Sequence, residues 1–349
     1  MGRAFSTSEI PAASMLPNAA PQRKMRQYKH LSPKSTDVVR LLPLGRCITL
    51  MDVVYTLKEI PGKGRGLIAA RALSRGELIL AESPLLVQPP SYTNATILRA
   101  LSALSDTQQR DYFSLANAHK GVHPPPLGVF KTNALPCGDH DITTGTAAGS
   151  GAVFVLGSRF NSSCDPNVNN YWNEGQGKIT FWAVRDIAEG EELLISYGEH
   201  FAGRDARRAR LKMQFGFVCE CTACSRTGED LKASDERRVT IRDLYNEIGQ
   251  YGAVPEVGIR KVKEAIWLLA EEGLLDTRGA SFYYDGFQFC ASVSDTKNAK
   301  AWATKAWEGY CAVRGPDSTD AKNMKKYVQS PRAHGAFGLL SKKTLSGPE

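Results

Sequence analysis

Apolar and polar residues alternate first with the period of strands, then with that of helices. Val53, Tyr55 and Leu57 alternate with Val54, Thr56 and Lys58, which predicts a strand. Pro61-Gly62-Lys63-Gly64-Arg65-Gly66 follows and reads as a tight turn between strands. Its glycines permit positive φ and a close backbone approach to a ligand. Gly76-Glu77 is a further turn, and Leu78 to Val87 reads as two short strands broken near Pro84. Between residues 88 and 150 the period changes. Ile97, Leu101 and Leu104 keep helical spacing, and Thr107 to Ala116 reads as a second helix with Tyr112, Phe113 and Ala116 on its apolar side. Pro124-Pro125-Pro126 is expected to end that pair, and Gly145 to Gly151 to form a small-residue loop. Strands resume at Val153–Leu156, Val168–Trp172, Ile179–Ala183 and Glu192–Ser196. Short strands with many turns predict an irregular, mostly antiparallel β fold interrupted by a helical insert.

Beyond Cys224 the pattern is helical throughout. Ile241, Leu244, Tyr245 and Ile248 share one face; Ile259, Val262, Ile266 and Leu269 share another, with Gly273 just past the end. Phe282, Gly286, Phe289 and Val293 mark a third helix, and Ala299, Ala303, Ala306 and Tyr310 a fourth that stops at Gly315-Pro316. Ala321, Met324 and Val328 mark a fifth. Helical pairs recurring at about 37 residues resemble a tetratricopeptide-type array, without its specific signature. The whole reads as α+β: residues 51–199 a β-rich domain with an insert at about 88–150, 200–228 a cysteine-bearing segment, and 229–349 an all-α region.

Composition changes this picture in two places. The net charge of +8 invites a nucleic-acid reading, but residues 1–50 hold eight Lys or Arg against two acids, so +6 sits there and only +2 in the rest. That stretch is rich in Ser, Pro and Ala and reads as a disordered basic tail. Met1-Gly2-Arg3-Ala4-Phe5-Ser6 fits a loose myristoylation pattern, and Arg23-Lys24-Met25-Arg26 a basic targeting or polyanion-binding cluster; a solvated tail explains both. Nucleic-acid binding has no support beyond it. No apolar run approaches the roughly 18 residues of a membrane span. Eight cysteines without secretory features point to reduced thiols and metal ligation rather than disulfides.

The candidate chemistry lies between Arg159 and Cys224. Cys219, Cys221 and Cys224 form a C-x-C-x2-C that can wrap one tetrahedral metal. Cys164, in the turn-rich Asn161-Ser162-Ser163-Cys164-Asp165-Pro166-Asn167, is the candidate fourth ligand. Soft sulfur donors and a closed site favour Zn2+ in a structural role. Cys137 and His140 also have metal spacing but lack a second pair and read as loop.

These segments, in this order, resemble the core of SET-domain protein lysine methyltransferases: the glycine loop, an N-H-S-C-x-P-N motif, Glu192-Leu193-Leu194-Ile195-Ser196-Tyr197 and a post-SET cysteine segment. The resemblance covers residues 51 to about 228. The split domain with a helical C-terminal region looks like the SMYD-like branch, especially its fungal members. Two departures stand out: Ser162 replaces the usual His, and the insert has too few cysteines for a MYND finger.

The resemblance implies S-adenosylmethionine as methyl donor and Cys164, Cys219, Cys221 and Cys224 around one zinc. It implies that Lys63, Gly64 and Arg65 cradle the methionine part of the donor, that Asn161 and Ser162 bind its amino acid and adenine portions, and that Phe217 stacks on adenine. Asn133 matches a cofactor-contacting Asn, Phe215 a wall of the lysine channel, and Tyr197 the catalytic tyrosine. The expected substrate is a protein with an exposed lysine, a histone tail or a non-histone target, met by a monomer in the nucleus or cytoplasm. The alternative is a catalytically inactive SET module that binds peptides or scaffolds a complex.

Overall fold

The computed structural model describes residues 54–137, 149–198 and 200–349. The basic tail, Val53, His140 and most of the Gly145–Gly151 loop lie outside the described residues.

Among the described residues, ten short strands carry the first half. β1 (Tyr55–Ile60) and β2 (Gly64–Ala69) form an antiparallel hairpin closed by Ile60 facing Gly64. Gly62 and Gly64 sit at φ +74° and +73°, a conformation that glycine adopts without strain. β3 (Leu78–Glu82) pairs antiparallel with β9 (Lys178–Ala183), which also pairs with β8 (Val168–Asn173). A third sheet runs β4 (Leu86–Gln88), β6 (Ser150–Val153), β5 (Leu135–Cys137). β7 (Asn161–Ser162) and β10 (Leu194–Ile195) form a parallel pair of two residues each. Leu67, Phe154, Phe160, Phe181 and Leu193, all fully buried, knit these sheets into one core. Phe160 stacks on Phe181 with centroids 4.2 Å apart.

The insert differs from expectation at two points. α1 (Asn94–Ser102) and α2 (Asp106–Phe113) start at capping boxes on Thr93 and Ser105, but α2 ends before Ala116 and leaves Phe113 47% exposed. The three prolines do not end the region. They open a third helix, α3 (Pro125–Asn133), because proline at the first helical positions lacks only a hydrogen that would be unbonded anyway. Arg159, buried, ties the insert to the core by bonding the Ser114 carbonyl at 3.2 Å and its hydroxyl at 2.6 Å. Two expected strands are also shorter or shifted: β6 stops at Val153, and β10 spans only two residues.

The segment after Gly203 contains α4 (Arg204–Phe215), a helix hidden by its run of arginines. Five helices complete the chain: α5 (Gly228–Ile248), α6 (Pro255–Glu271), α7 (Leu275–Ser292), α8 (Thr296–Arg314) and α9 (Thr319–Gln329). Each packs on the next. A Cβ on Gly258 would lie 2.1 Å from Phe289, and one on Gly286 2.5 Å from Trp302, so glycine sets how closely these helices approach. Gly315 ends α8 at φ +84°, with Trp182 of β9 2.2 Å from where a Cβ would stand. There the helical region meets the β-rich half, held by Asn169 Nδ2 donating to the Val313 carbonyl at 2.7 Å.

Candidate active site

The two residues of β7 bring Asn161 and Ser162 beside β10, which ends two residues before Tyr197. Asn167 holds this arrangement from below: its Nδ2 donates to the Glu192 carbonyl at 2.8 Å, and its Oδ1 accepts the Leu194 N–H at 2.8 Å. The glycine hairpin closes on the same place. Asn161 Nδ2 donates to Glu192 Oε1 at 2.8 Å, while Lys63 Nζ reaches Glu192 Oε2 at 2.6 Å. A Cβ on Gly66 would lie 2.6 Å from Asn161 Nδ2. Lys63, Gly66 and Asn161 therefore meet around one carboxylate, whereas a Cβ on Gly64 would have nothing within 4 Å. Arg65 points elsewhere, to Glu59 at 2.9 Å.

Tyr197 lies at the centre. Its hydroxyl donates to the Phe160 carbonyl at 2.6 Å, and its backbone N–H to Ser162 Oγ at 3.3 Å. Ser162, which stands where the family motif has histidine, thus ties β7 to the tyrosine. Burial, and then the Glu192 charge, push the Tyr197 phenol well above its usual range, so it stays protonated. Phe215 stands with its ring 4.8 Å from the Tyr197 ring, and Phe217 packs half-buried on the same cluster. Asn133 is different: its Nδ2 donates to the Ala116 and Val129 carbonyls, both at 2.7 Å, which commits it to the insert.

The four cysteines converge. The Sγ atoms of Cys164, Cys219, Cys221 and Cys224 all lie within 4.8 Å of one another, with Cys164 and Cys224 3.6 Å apart. Tetrahedral zinc at about 2.3 Å from each sulfur places sulfurs roughly 3.8 Å apart, so the set fits that ion. Hydrogen bonds from Cys164 and then Cys219 draw Cys221 below the usual thiol range and Cys224 to about 6, while bonds with Cys219, Cys221 and Cys224 push Cys164 up, and Cys219, lowered by Cys164, is raised more by Cys221 and Cys224. Arg207, with 1% of its side chain exposed, places Nη2 3.8 Å from Cys224 Sγ.

Sequence reasoning passed over Glu192 and Asn167 as site residues, although both stand inside quoted motifs. It had no signal for Arg207 or Arg238, which reach the site from helices.

Comparison with known proteins agrees with this geometry. The family model described as "SET domain" matches residues 64–198. The protein named histone-lysine N-methyltransferase set5 of Schizosaccharomyces pombe is 32% identical over 283 residues, 80% of this chain and 85% of that one. Its namesake in Yarrowia lipolytica is 34% identical over 114 residues, 32% of this chain and 23% of that protein. A crystal structure of a SET domain bound to lysine and AdoHcy aligns over 80% of this chain and 88% of its own at 11% identity, with a TM-score of 0.32, too loose to transfer any residue. The fold and site define an α+β protein of the SET type. The chain belongs to the SET-domain family, alongside the set5 histone-lysine methyltransferases.

Proposed function

We propose that the protein is an S-adenosylmethionine-dependent protein-lysine N-methyltransferase. The observation that carries the reading is Tyr197, whose hydroxyl is anchored to Phe160 and whose N–H is anchored to the Asn161-Ser162 strand. The relationship to set5 over most of the chain supports it.

S-adenosylmethionine, when bound, supplies an electrophilic methyl group. Lys63, Gly64, Asn161 and Ser162 would hold its amino acid portion and Phe217 its adenine, whereas Arg65 and Asn133 are engaged with Glu59 and with the insert. The substrate lysine has an ordinary pKa near 10.4, so neutralising it at pH 7 costs roughly 4.6 kcal/mol. A channel walled by Phe215 and Tyr197 disfavours the ammonium by desolvation. The Tyr197 oxygen and neighbouring backbone carbonyls would orient the neutral amine; the bound donor would supply the methyl group, its S–C bond breaking as the N–C bond forms and S-adenosylhomocysteine leaving. Cys164, Cys219, Cys221 and Cys224 would hold one structural zinc, outside the transfer itself.

The same reading assigns residues 51–199 to the SET domain, 200–228 to the post-SET segment and 229–349 to a helical domain of tetratricopeptide type. The substrate is a histone or another protein with an exposed lysine, and the protein works as a monomer in the nucleus or cytoplasm. No helix among the described residues is long and apolar enough to cross a membrane. Incubation with S-adenosylmethionine and core histones or cell extract, read by mass spectrometry, tests the proposal: a methylated lysine is expected. Cofactor binding with no methylated product from any protein would favour the inactive module instead.

A further inference from the structure

β7 and β10 share a ladder of only two residue pairs, Asn161 with Leu194 and Ser162 with Ile195. The Ser163 N–H extends it by one bond to the Ile195 carbonyl at 2.8 Å. Past that point the two segments leave the sheet, one into the Cys164 loop and the other towards Tyr197 and His200. Besides the Tyr197 bonds to Phe160 and Ser162, a side chain from the helical region bridges them. Arg238, on α5 and completely buried, donates from Nη2 to the Cys164 carbonyl at 3.2 Å and from Nη1 to the His200 carbonyl at 2.7 Å. Its Nε turns the other way and donates to Glu272 Oε1 at 2.7 Å.

Glu272, at the end of α6, has a fully buried side chain that gathers Arg226 at 2.9 Å, Arg237 at 2.9 Å, Arg238 and the Ser234 hydroxyl at 2.6 Å. Burial works against its charge, but the Ser234 and arginine bonds outweigh it and hold the carboxyl below its usual range. A charged, oriented carboxylate fixes the planar guanidinium, and the remaining edge of that fork meets two carbonyls at once. The helical region thereby grips the backbone of a metal-ligand cysteine and the backbone three residues beyond Tyr197.

We propose that Arg238, braced by Glu272, is a positioning residue: it sets the spacing between the Cys164 loop and the Tyr197 segment, making the zinc site and the catalytic geometry depend on the C-terminal helices. The catalytic part of this inference rests on the methyltransferase reading; the metal part does not.

The test uses the full-length, zinc-loaded protein and two variants. Arg238→Lys keeps the charge but cannot span both carbonyls and Glu272. Arg226→Gln removes another bond to Glu272 and leaves the span intact. Three quantities are measured: melting temperature, the rate of zinc release to a chelator well below melting, and kcat with KM for S-adenosylmethionine. Arg238→Lys is expected to release zinc at least tenfold faster and to lose at least tenfold in kcat with KM changed less than threefold, while Arg226→Gln keeps both near wild type. Zinc release or kcat that simply follows melting temperature in both variants, or that is unchanged in Arg238→Lys, would overturn the proposal. Should Arg238→Lys fail to fold, Glu272→Gln, which keeps shape and removes the brace's charge, is expected to show the same changes and decides in its place. If the wild type transfers no methyl group, zinc release alone decides, and the failure belongs to the functional reading.

Discussion

The Tyr197 hydroxyl donates to the Phe160 carbonyl at 2.6 Å, joining the tyrosine to the residue immediately before Asn161. Removing it leaves a buried carbonyl unpaired, which costs about 1–3 kcal/mol. Tyr197→Phe is therefore expected to melt a few degrees lower while staying folded by circular dichroism. Because burial raises the phenol, its ionisation does not compete with that of the substrate lysine. The transfer rate should rise with pH through pH 9, with no falling limb from Tyr197. A bell-shaped profile falling below pH 9 would contradict this assignment.

Gly66 faces Asn161 Nδ2 at 2.6 Å, Ile60 Cγ1 at 2.8 Å and Glu192 Oε1 at 3.1 Å from the place a Cβ would occupy. Gly66→Ala must push Asn161 off Glu192. Calorimetric affinity for S-adenosylmethionine is expected to fall at least tenfold, with a smaller change for Gly64→Asn, whose site is open and whose φ of +73° asparagine tolerates.

The cysteine cluster predicts one zinc per chain by elemental analysis. Cys224→Ser should lower zinc content and loosen Phe215, Phe217 and α4, which pack against the four sulfurs. Limited proteolysis near residue 217 reads that loosening. A zinc-free wild type with full proteolytic resistance would remove the metal from the account.

Asp285 on α7 accepts only a long bond from Gln288, at 3.4 Å, and burial pushes its carboxyl up to about 8. Between about pH 4 and pH 8 the native state holds a proton that the unfolded chain has lost, so this group's contribution to stability falls as pH rises. Asp285→Asn is expected to raise the melting temperature, by more at pH 8.5 than at pH 5. Parallel melting curves across that range would refute it.

The strands and C-terminal helices were legible because their periods are regular: Ile259, Val262 and Leu269 are all buried, as their spacing implies. The cysteine set was legible because thiolate spacing is a strong signal. The Pro124–Pro126 run misled because proline both ends helices and starts them, and only the chain beyond it decides. Helix α4 escaped because its arginines mask an apolar face of little more than Leu211. Arg238 was invisible for another reason: its partners Cys164, His200 and Glu272 are between 34 and 74 residues away, a relationship that no local pattern records.

The most direct test is methyl transfer from labelled S-adenosylmethionine to histones and cell extract, with wild type beside Tyr197→Phe. Label is expected on a protein lysine with wild type and at least a hundredfold less with the variant, both binding the cofactor with similar affinity. Equal labelling by the two proteins, or no cofactor binding by either, would contradict it.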